Sequence, residues 1–111
     1  MNNDFMIVKN IKKFIFELDV IVVNIPNRDK LLKDRLYNTS YDILYLVYRC
    51  NYKSDNRREY YKDILSNISM LDFYLERGLK NKYFNSRTCE RLSNELLKIT
   101  KMIYGWIKSE S

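Results

Sequence analysis

The chain contains no histidine. Histidine is the commonest general base in enzymes and the commonest metal ligand, so its absence removes both roles. The sequence also lacks a glycine-rich phosphate loop, and a helical di-metal site would need Glu-x-x-His pairs. The carboxylates of Glu17, Asp19, Asp72 and Glu76 are interpreted as exposed helix charges rather than an acidic site. We therefore expect a protein that is not an enzyme and that uses no metal and no cofactor.

Residues that break helices are scarce, with two glycines and one proline among 111 residues. Such a composition favours long helices and argues against a turn-rich β sandwich or barrel. The two cysteines, Cys50 and Cys89, have no spacing motif. We expect them to act as small apolar side chains, without a disulfide framework.

Long apolar runs are also missing. The most apolar stretch, residues 14–25, contains Glu17 and Asp19 and is too short to span a bilayer. The first residues lack the basic start and apolar run of a signal peptide. We therefore expect a cytosolic protein with no membrane partner.

Hydrophobic residues recur at helical spacing in four segments, which predicts helices at about residues 4–24, 29–51, 55–80 and 86–108. The β-branched residues 20–23 also fit a strand, but the helical period before them outweighs this alternative. Pro26 is predicted to end the first helix, because a proline disfavours the α conformation in the residue before it. The predicted core residues are Ile7, Ile11, Phe14, Leu18, Val22 and Ile25; Leu32, Leu36, Ile43, Val47 and Cys50; Tyr61, Ile64, Ile68, Leu71, Leu75 and Leu79; and Leu92, Leu96, Ile99, Ile103 and Trp106.

The predicted helix ends carry capping residues. Ser54 or Asp55 is expected to cap the third helix, and Ser86 the fourth. Gly78 lies near the end of the third helix, and Asn81 is expected to take the left-handed position beyond it. Short links make sequential helices antiparallel neighbours. The predicted fold is all-α: one domain, residues 1–111, folded as an up-down-up-down antiparallel four-helix bundle.

The second helix has an additional apolar face, opposite its aliphatic one. Tyrosines recur there at spacings of four, four, three and four residues. A helix that is apolar on two sides requires two partners. One partner is the core; the other is a neighbouring subunit or a flat ligand on which the rings stack. The face comprises Tyr37, Tyr41, Tyr45, Tyr48 and Tyr52, and the first four are the predicted subunit contacts.

The net charge is +6 and the sequence pI is about 9.3, which favours an anionic partner. Cationic residues recur along one side of the fourth helix at helical spacing. Like charges on one helix face repel, so such a stripe favours a bound polyanion, although a merely solvated face remains the alternative. The basic stripe consists of Arg87, Arg91, Lys98, Lys101 and Lys108, with Asn94 among them. Arg57, Arg58 and Lys62 are further predicted nucleic-acid contacts.

Two segments resemble a known family. Residues 25–36 read IPNRDKLLKDRL, and residues 98–109 read KITKMIYGWIKS. With the four-helix layout, they resemble the accessory variability determinant (Avd) proteins of diversity-generating retroelements. They are also similar to the related four-helix proteins encoded in intervening sequences of large-subunit rRNA genes. The Avd resemblance implies a pentameric barrel with a basic surface. It also implies a protein without catalysis of its own that binds a reverse transcriptase and its template RNA and supports mutagenic cDNA synthesis.

The match is one of residue type, with departures. Ile25, Pro26, Leu32 and Arg35 fill places of the first family motif, while Asn27 replaces its usual basic residue. At the end of the chain, Ile99, Lys101, Met102, Ile103, Gly105 and Trp106 agree with the family in type. Lys98 replaces an acid there, and Thr100 and Tyr104 replace glycines.

Gly105 has an interpretation of its own. Because glycine costs a helix about 1 kcal/mol relative to alanine, its presence indicates close approach of another helix, unless the chain merely frays there. Gly105 and Trp106 are therefore further predicted subunit contacts. If the intervening-sequence likeness is the relevant one, the protein is instead a structural or interaction bundle with no known activity.

Overall fold

The computed structural model describes residues 2–52 and 56–109 of the chain, with side chains from residue 5 onward. The first helix, α1, spans Asn2–Ile21. The backbone then tightens into a 3-10 turn at Val22–Asn24, and Ile25 is extended (φ −85°, ψ 121°) before Pro26. The α-helix therefore ends three residues before the predicted position. The β-branched residues 20–23 are helical, so the strand alternative is wrong.

The second helix, α2, spans Lys30–Asn51 after a 3-10 turn at Asn27–Asp29. Asp29 is its N-cap, because its carboxylate accepts a hydrogen bond from the Leu32 amide at 3.4 Å. The predicted aliphatic face is buried. Ser40 is buried on the same side, and its hydroxyl donates to the Leu36 carbonyl oxygen at 2.6 Å, which satisfies a polar group inside the core.

The third helix, α3, spans Arg57–Lys80, and the predicted caps Ser54 and Asp55 lie outside the described residues. Its end is a Schellman motif, in which the Lys82 amide donates to Leu79 and the Tyr83 amide donates to Gly78, both at 3.0 Å. Lys82 takes the left-handed position with φ 62°. The prediction that Asn81 does so is wrong, since Asn81 has φ −82° and belongs to the turn one residue earlier.

A close contact explains Gly78. The ring of Phe84, just beyond the Schellman turn, lies against this glycine. A Cβ at position 78 would stand 2.3 Å from the Phe84 ring Cζ, so the ring can occupy this place only beside a glycine. The contact holds the turn between α3 and the next helix onto the bundle.

The fourth helix, α4, spans Ser86–Ser109. Its N-cap is Asn85, whose side-chain oxygen accepts a hydrogen bond from the Thr88 amide at 2.8 Å. The predicted cap, Ser86, is instead the first helical residue. Adjacent Asn and Ser are both good caps, and the turn that precedes α4 selects the asparagine.

The four helices of the described chain enclose one hydrophobic core. The predicted core residues are buried, with the exception of Leu79, which is half-buried. Helix α1 packs against α2 and α4, and α3 packs against the same two helices. The α1–α4 seam and the α2–α3 seam therefore lie on opposite sides of a molecule with principal extents of 43 × 23 × 19 Å. The all-helical prediction is confirmed for the described residues.

Candidate nucleic-acid interface

The basic stripe lies on the outer side of α4. The opposite side of this helix is buried, with Leu96 and Ile103 inside the core, so side chains half a turn away must face outward. All five cations of the stripe are exposed, as is Asn94. Leu97 and Tyr104 are also exposed on α4 and place apolar surface beside the cations.

A groove runs between α1 and α4, with a volume of about 800 Å³. Four cations and three carboxylates line it, so its charge is mixed rather than purely positive. The cations are Lys13, Arg87, Arg91 and Lys98, the carboxylates are Glu17, Glu90 and Glu95, and Ser86 and Asn94 complete the lining. We call this feature the α1–α4 groove.

Sequence reasoning missed the contribution of α1 to this groove. Lys13 and Glu17 line it although about 74 positions separate them from their α4 neighbours. The available signal was that both residues fall off the buried stripe of α1, but only the packing of α1 on α4 places them beside Arg91. Asn10 marks the same seam, since its side-chain amide donates to the Met102 sulfur at 3.5 Å.

An ion pair joins the two helices across the groove. The Arg91 guanidinium donates to the Glu17 carboxylate, so one cation of the stripe is partly neutralised. Glu17 was predicted to be an exposed helix charge, and this is wrong because its side chain is half-buried against α4. The other three carboxylates of that prediction, on Asp19, Asp72 and Glu76, are exposed.

One carboxyl of the groove, that of Glu95, has a raised pKa. Burial, followed by a hydrogen bond to Glu17 and the charge of that carboxylate, raises the pKa of Glu95 to about 7, while Lys13 and Arg91 oppose the rise. The Glu95 carboxyl therefore binds and releases its proton near neutral pH. The net charge of the groove changes by one over the pH range in which this proton is released.

The three predicted cations of α3 divide into two roles. Arg58 and Lys62 are exposed at the start of the helix, and Lys62 lies 3.6 Å from Glu59. The Arg57 guanidinium lies over the rings of Tyr61 and Trp106, 5.9 and 5.8 Å from their centroids. This contact brings the start of α3 beside the end of α4.

Trp106 and Gly105 do not form an exposed patch. Trp106 is only 5 % exposed, and its ring packs on Tyr61 with centroids 5.8 Å apart. Its indole therefore belongs to the core of the single chain, which is a correction to its prediction as a subunit contact. Gly105 is half-buried.

The tyrosine face of α2 is divided between two sides. Tyr37 is half-buried, and its hydroxyl donates to Asp19 of α1 at 2.6 Å; burial and this hydrogen bond raise the pKa of Tyr37 to about 12. Tyr41 stacks on Tyr37 with centroids 6.1 Å apart and is exposed. Tyr45 is exposed on the α3 side of α2, whereas Tyr48 is half-buried.

Among the described residues, no cluster of three or more cysteine, aspartate or glutamate side chains has the geometry to hold a metal ion. No helix in this part of the chain combines the length and the hydropathy needed to cross a membrane. Comparisons with protein-family models, with curated proteins and with solved structures gave no match for the chain. The family resemblance therefore depends on the two segments quoted above.

Proposed function

We propose that this protein is a non-catalytic, basic nucleic-acid-binding protein of the cytoplasm that assists the reverse transcriptase of a diversity-generating retroelement. It would hold template RNA or cDNA during mutagenic synthesis. The observation that carries the nucleic-acid part is the exposure of all five stripe cations on one side of α4. The link to a reverse transcriptase depends on the resemblance of residues 25–36 and 98–109 to Avd proteins.

The dimensions of the basic stripe suit a phosphate backbone. Arg87 and Lys108 lie 21 residues apart, and hence about 31 Å along α4 at 1.5 Å per residue. One strand of a duplex places a phosphate about every 3.4 Å, so the stripe runs alongside roughly nine phosphates. Lysine and arginine contacts to phosphates give affinity without reading base sequence. We therefore infer salt-dependent binding with little sequence preference.

The proposal includes assembly. The resemblance implies up-down-up-down bundles in a pentameric barrel, and the chain has exposed apolar side chains suited to protein contacts, among them Phe16, Leu31 and Tyr45. A ring of subunits would present one basic stripe per copy. The reverse transcriptase is a second protein partner in this proposal.

The binding test compares two pairs of neutralised cations. Lys98→Gln/Lys101→Gln removes two stripe cations, and Arg28→Gln/Lys30→Gln removes two exposed cations at the start of α2. Fluorescence anisotropy with a labelled structured RNA, titrated over a range of salt, measures affinity and its salt dependence. We expect the stripe variant to bind more weakly and to lose about 1.4 to 1.8 units of slope of log K against log salt, at 0.7 to 0.9 per phosphate contact.

The control variant should retain the wild-type slope. If both variants lose affinity equally, the charge is diffuse and α4 is not the interface. If the purified wild-type protein binds no RNA at low salt and recovers no reverse transcriptase in co-purification, the proposed function is wrong.

A second candidate function is a structural or interaction bundle of the rRNA-intervening-sequence type. The exposed apolar residues of α1 favour it, because Phe16 is 66 % and Val20 is 69 % exposed. In that case, reversing the charges of Arg91, Lys98 and Lys101 would leave function intact. A reverse-transcriptase gene beside this one supports the first function, whereas an rRNA context supports the second.

A further inference from the structure

Helix α1 and the turn after it carry an outer stripe of exposed side chains. It faces away from the core, since its members are three or four residues apart and all are exposed. Its first half contains two lysines, and its second half is apolar. The α1 outer stripe consists of Phe5, Lys9, Lys12, Phe16 and Val20 of α1, and of Val23 in the 3-10 turn that follows. A helix normally places polar residues on its solvent side, so this pattern favours burial against another surface.

A second unpartnered apolar surface lies on the α2–α3 seam. It is a groove of about 280 Å³ near the start of α2. Leu31 is 67 % and Phe73 is 49 % exposed at its rim, with Met70 beside them. We call it the α2–α3 groove. It lies on the side of the bundle opposite the α1–α4 groove, because α1 packs on α4 and α2 packs on α3.

The α2–α3 groove has a positive rim. Asp29 lines it, but both of its carboxylate oxygens are engaged, one by the Leu32 amide and the other by the Tyr83 hydroxyl at 2.9 Å. Arg35 and Arg77 also line it, and neither forms a salt bridge with another described residue. The groove therefore offers apolar surface flanked by two available cations.

The same seam becomes acidic further along. A neighbouring hollow is lined by Asp42 of α2 and Asp63 of α3, together with Tyr45. The seam thus has an apolar part with arginines at one end and a carboxylate pair at the other. A uniform polyanion such as RNA fits this pattern poorly, because its phosphates would face Asp42 and Asp63. A protein surface with apolar groups at one end and cations at the other is complementary.

The α1 outer stripe has that complementary pattern. From Lys12 to Val23 it extends about 17 Å, at 1.5 Å per residue in α1 and about 2 Å in the 3-10 turn. From Asp42 back to Leu31 the seam extends about 16 Å along α2. Placing Lys12 opposite Asp42 and Asp63 therefore brings Phe16, Val20 and Val23 over the apolar groove. The end of α1, where carbonyl groups carry partial negative charge, then lies near Arg35 and Arg77.

We propose that the α1 outer stripe of one copy docks along the α2–α3 seam of a second copy of this chain. The two surfaces differ, so the contact is head-to-tail, and every copy offers both halves of it. Such a contact propagates from copy to copy, into a ring where the rotation between copies closes and into an open filament where it does not. The basic stripe of α4 is part of neither surface. The inference extends the self-association in the proposed function by naming its surfaces, and it does not depend on nucleic-acid binding.

The experiment uses two complementary variants that change only exposed residues. Phe16→Gln/Val20→Gln alters the α1 outer stripe and leaves the α2–α3 seam intact. Leu31→Gln/Phe73→Gln alters the seam and leaves the α1 outer stripe intact. Sedimentation velocity over a concentration series measures the mass of each protein, and far-UV circular dichroism checks its helix content. We expect the wild type to form oligomers and each variant alone to be monomeric with unchanged helix content.

The decisive measurement is the equimolar mixture of the two variants. Each retains one intact half of the contact, so the mixture should form a 1:1 dimer and stop there. Monomers in the mixture would overturn the head-to-tail contact, as would a monomeric wild type or an oligomer that persists in either variant. If a variant loses helix content, the charge exchange Lys12→Asp with Asp63→Lys replaces it. Single exchanges should then dissociate the oligomer, and the double exchange should restore it.

The tyrosine face provides the matched control. Tyr41→Gln also exchanges an exposed apolar residue for glutamine, and Tyr41 stacks on Tyr37 on the α1 side of α2, away from the seam. We expect this variant to keep the wild-type mass. Its dissociation into monomers that no mixture rescues would assign the subunit contact to the tyrosines and overturn the proposed docking. RNA binding by the monomeric variants would show separately that the nucleic-acid proposal stands without this contact.

Discussion

At the scale of single residues, Glu95 links the basic surface to pH. Its carboxyl lies in the α1–α4 groove next to Glu17, and it releases its proton near neutrality because burial and the neighbouring carboxylate raise the pKa of Glu95 to about 7. Lys13 and Arg91 moderate the effect. A polyanion that approaches Arg87, Arg91 and Lys98 therefore meets one more negative charge at pH 8 than at pH 6.

We expect RNA binding at constant ionic strength to be stronger at pH 6 than at pH 8. Loss of one charge near the phosphates corresponds to about 1 kcal/mol, or roughly five-fold in affinity. Glu95→Gln should remove most of this difference, because its side chain stays neutral throughout. Glu90→Gln, which alters another carboxylate of the same groove, should keep the difference. Equal pH dependence in both variants would show that the proton is bound elsewhere.

Protonation of Glu95 should also make the stability of the protein without nucleic acid depend on pH. The folded-state pKa of Glu95, about 7, lies above its ordinary value of 4.5, so the folded chain binds the proton more tightly than the unfolded chain. The stabilisation is complete below pH 4.5 and is lost as pH rises through 7. Thermal melts of wild type and Glu95→Gln should therefore show the wild-type Tm falling relative to the variant between pH 5 and 8.

At the scale of the helices, the sequence predicted the buried faces more accurately than it predicted the helix ends. The spacing of apolar residues identified the core faces, with Leu79 as the one half-buried exception. The ends depend on finer geometry: Asn85 caps α4 in place of Ser86, and Lys82 rather than Asn81 adopts positive φ. In each case two neighbouring residues were suitable, and the path of the turn, fixed by the packing of Phe84 on Gly78, decides between them.

The cap of α4 can be tested by comparing two alanine substitutions. Asn85→Ala should lower the free energy of unfolding by about 1 kcal/mol, because the Thr88 amide loses its acceptor. Ser86→Ala should change it much less, since Ser86 is the first helical residue and is exposed. Urea denaturation followed by circular dichroism measures both. A larger loss of unfolding free energy in Ser86→Ala than in Asn85→Ala would identify Ser86 as the N-cap instead.

At the scale of the whole molecule, the choice of which helices pack side by side determines which residues form one surface. The sequence predicted that α4 is basic, but it did not show that α1 supplies Lys13 and Glu17 to the same groove, because that follows from contacts between the two ends of the chain. Likewise, Leu31 and Phe73 are unremarkable in the sequence and become one apolar surface only when α2 lies on α3. The proposed nucleic-acid contact and the proposed subunit contact then lie on separate sides of the bundle.

An assembled protein with one basic stripe per copy should distinguish long from short RNA. Wild type and the monomeric variant Leu31→Gln/Phe73→Gln should bind a short RNA, long enough for one stripe, with the same affinity. A longer RNA that reaches several stripes should bind the wild type at least ten-fold more tightly, because each further contact is made within the complex. Equal affinities for the long RNA would mean that the stripes act singly. Anisotropy with both RNAs measures this.

The hydrogen bonds of Asp29 have a consequence for local opening of the chain. One carboxylate oxygen holds the Leu32 amide at the start of α2, and the other holds the hydroxyl of Tyr83 in the turn before α4. The side chain of Asp29 thus links by hydrogen bonds two segments that lie 54 positions apart in the sequence. Fraying of the α3–α4 turn and fraying of the first turn of α2 should therefore be a single event. In amide hydrogen exchange, Leu32 and the residues around Tyr83 would open at a common rate, and Tyr83→Phe would accelerate both segments while leaving exchange at Ile99 unchanged.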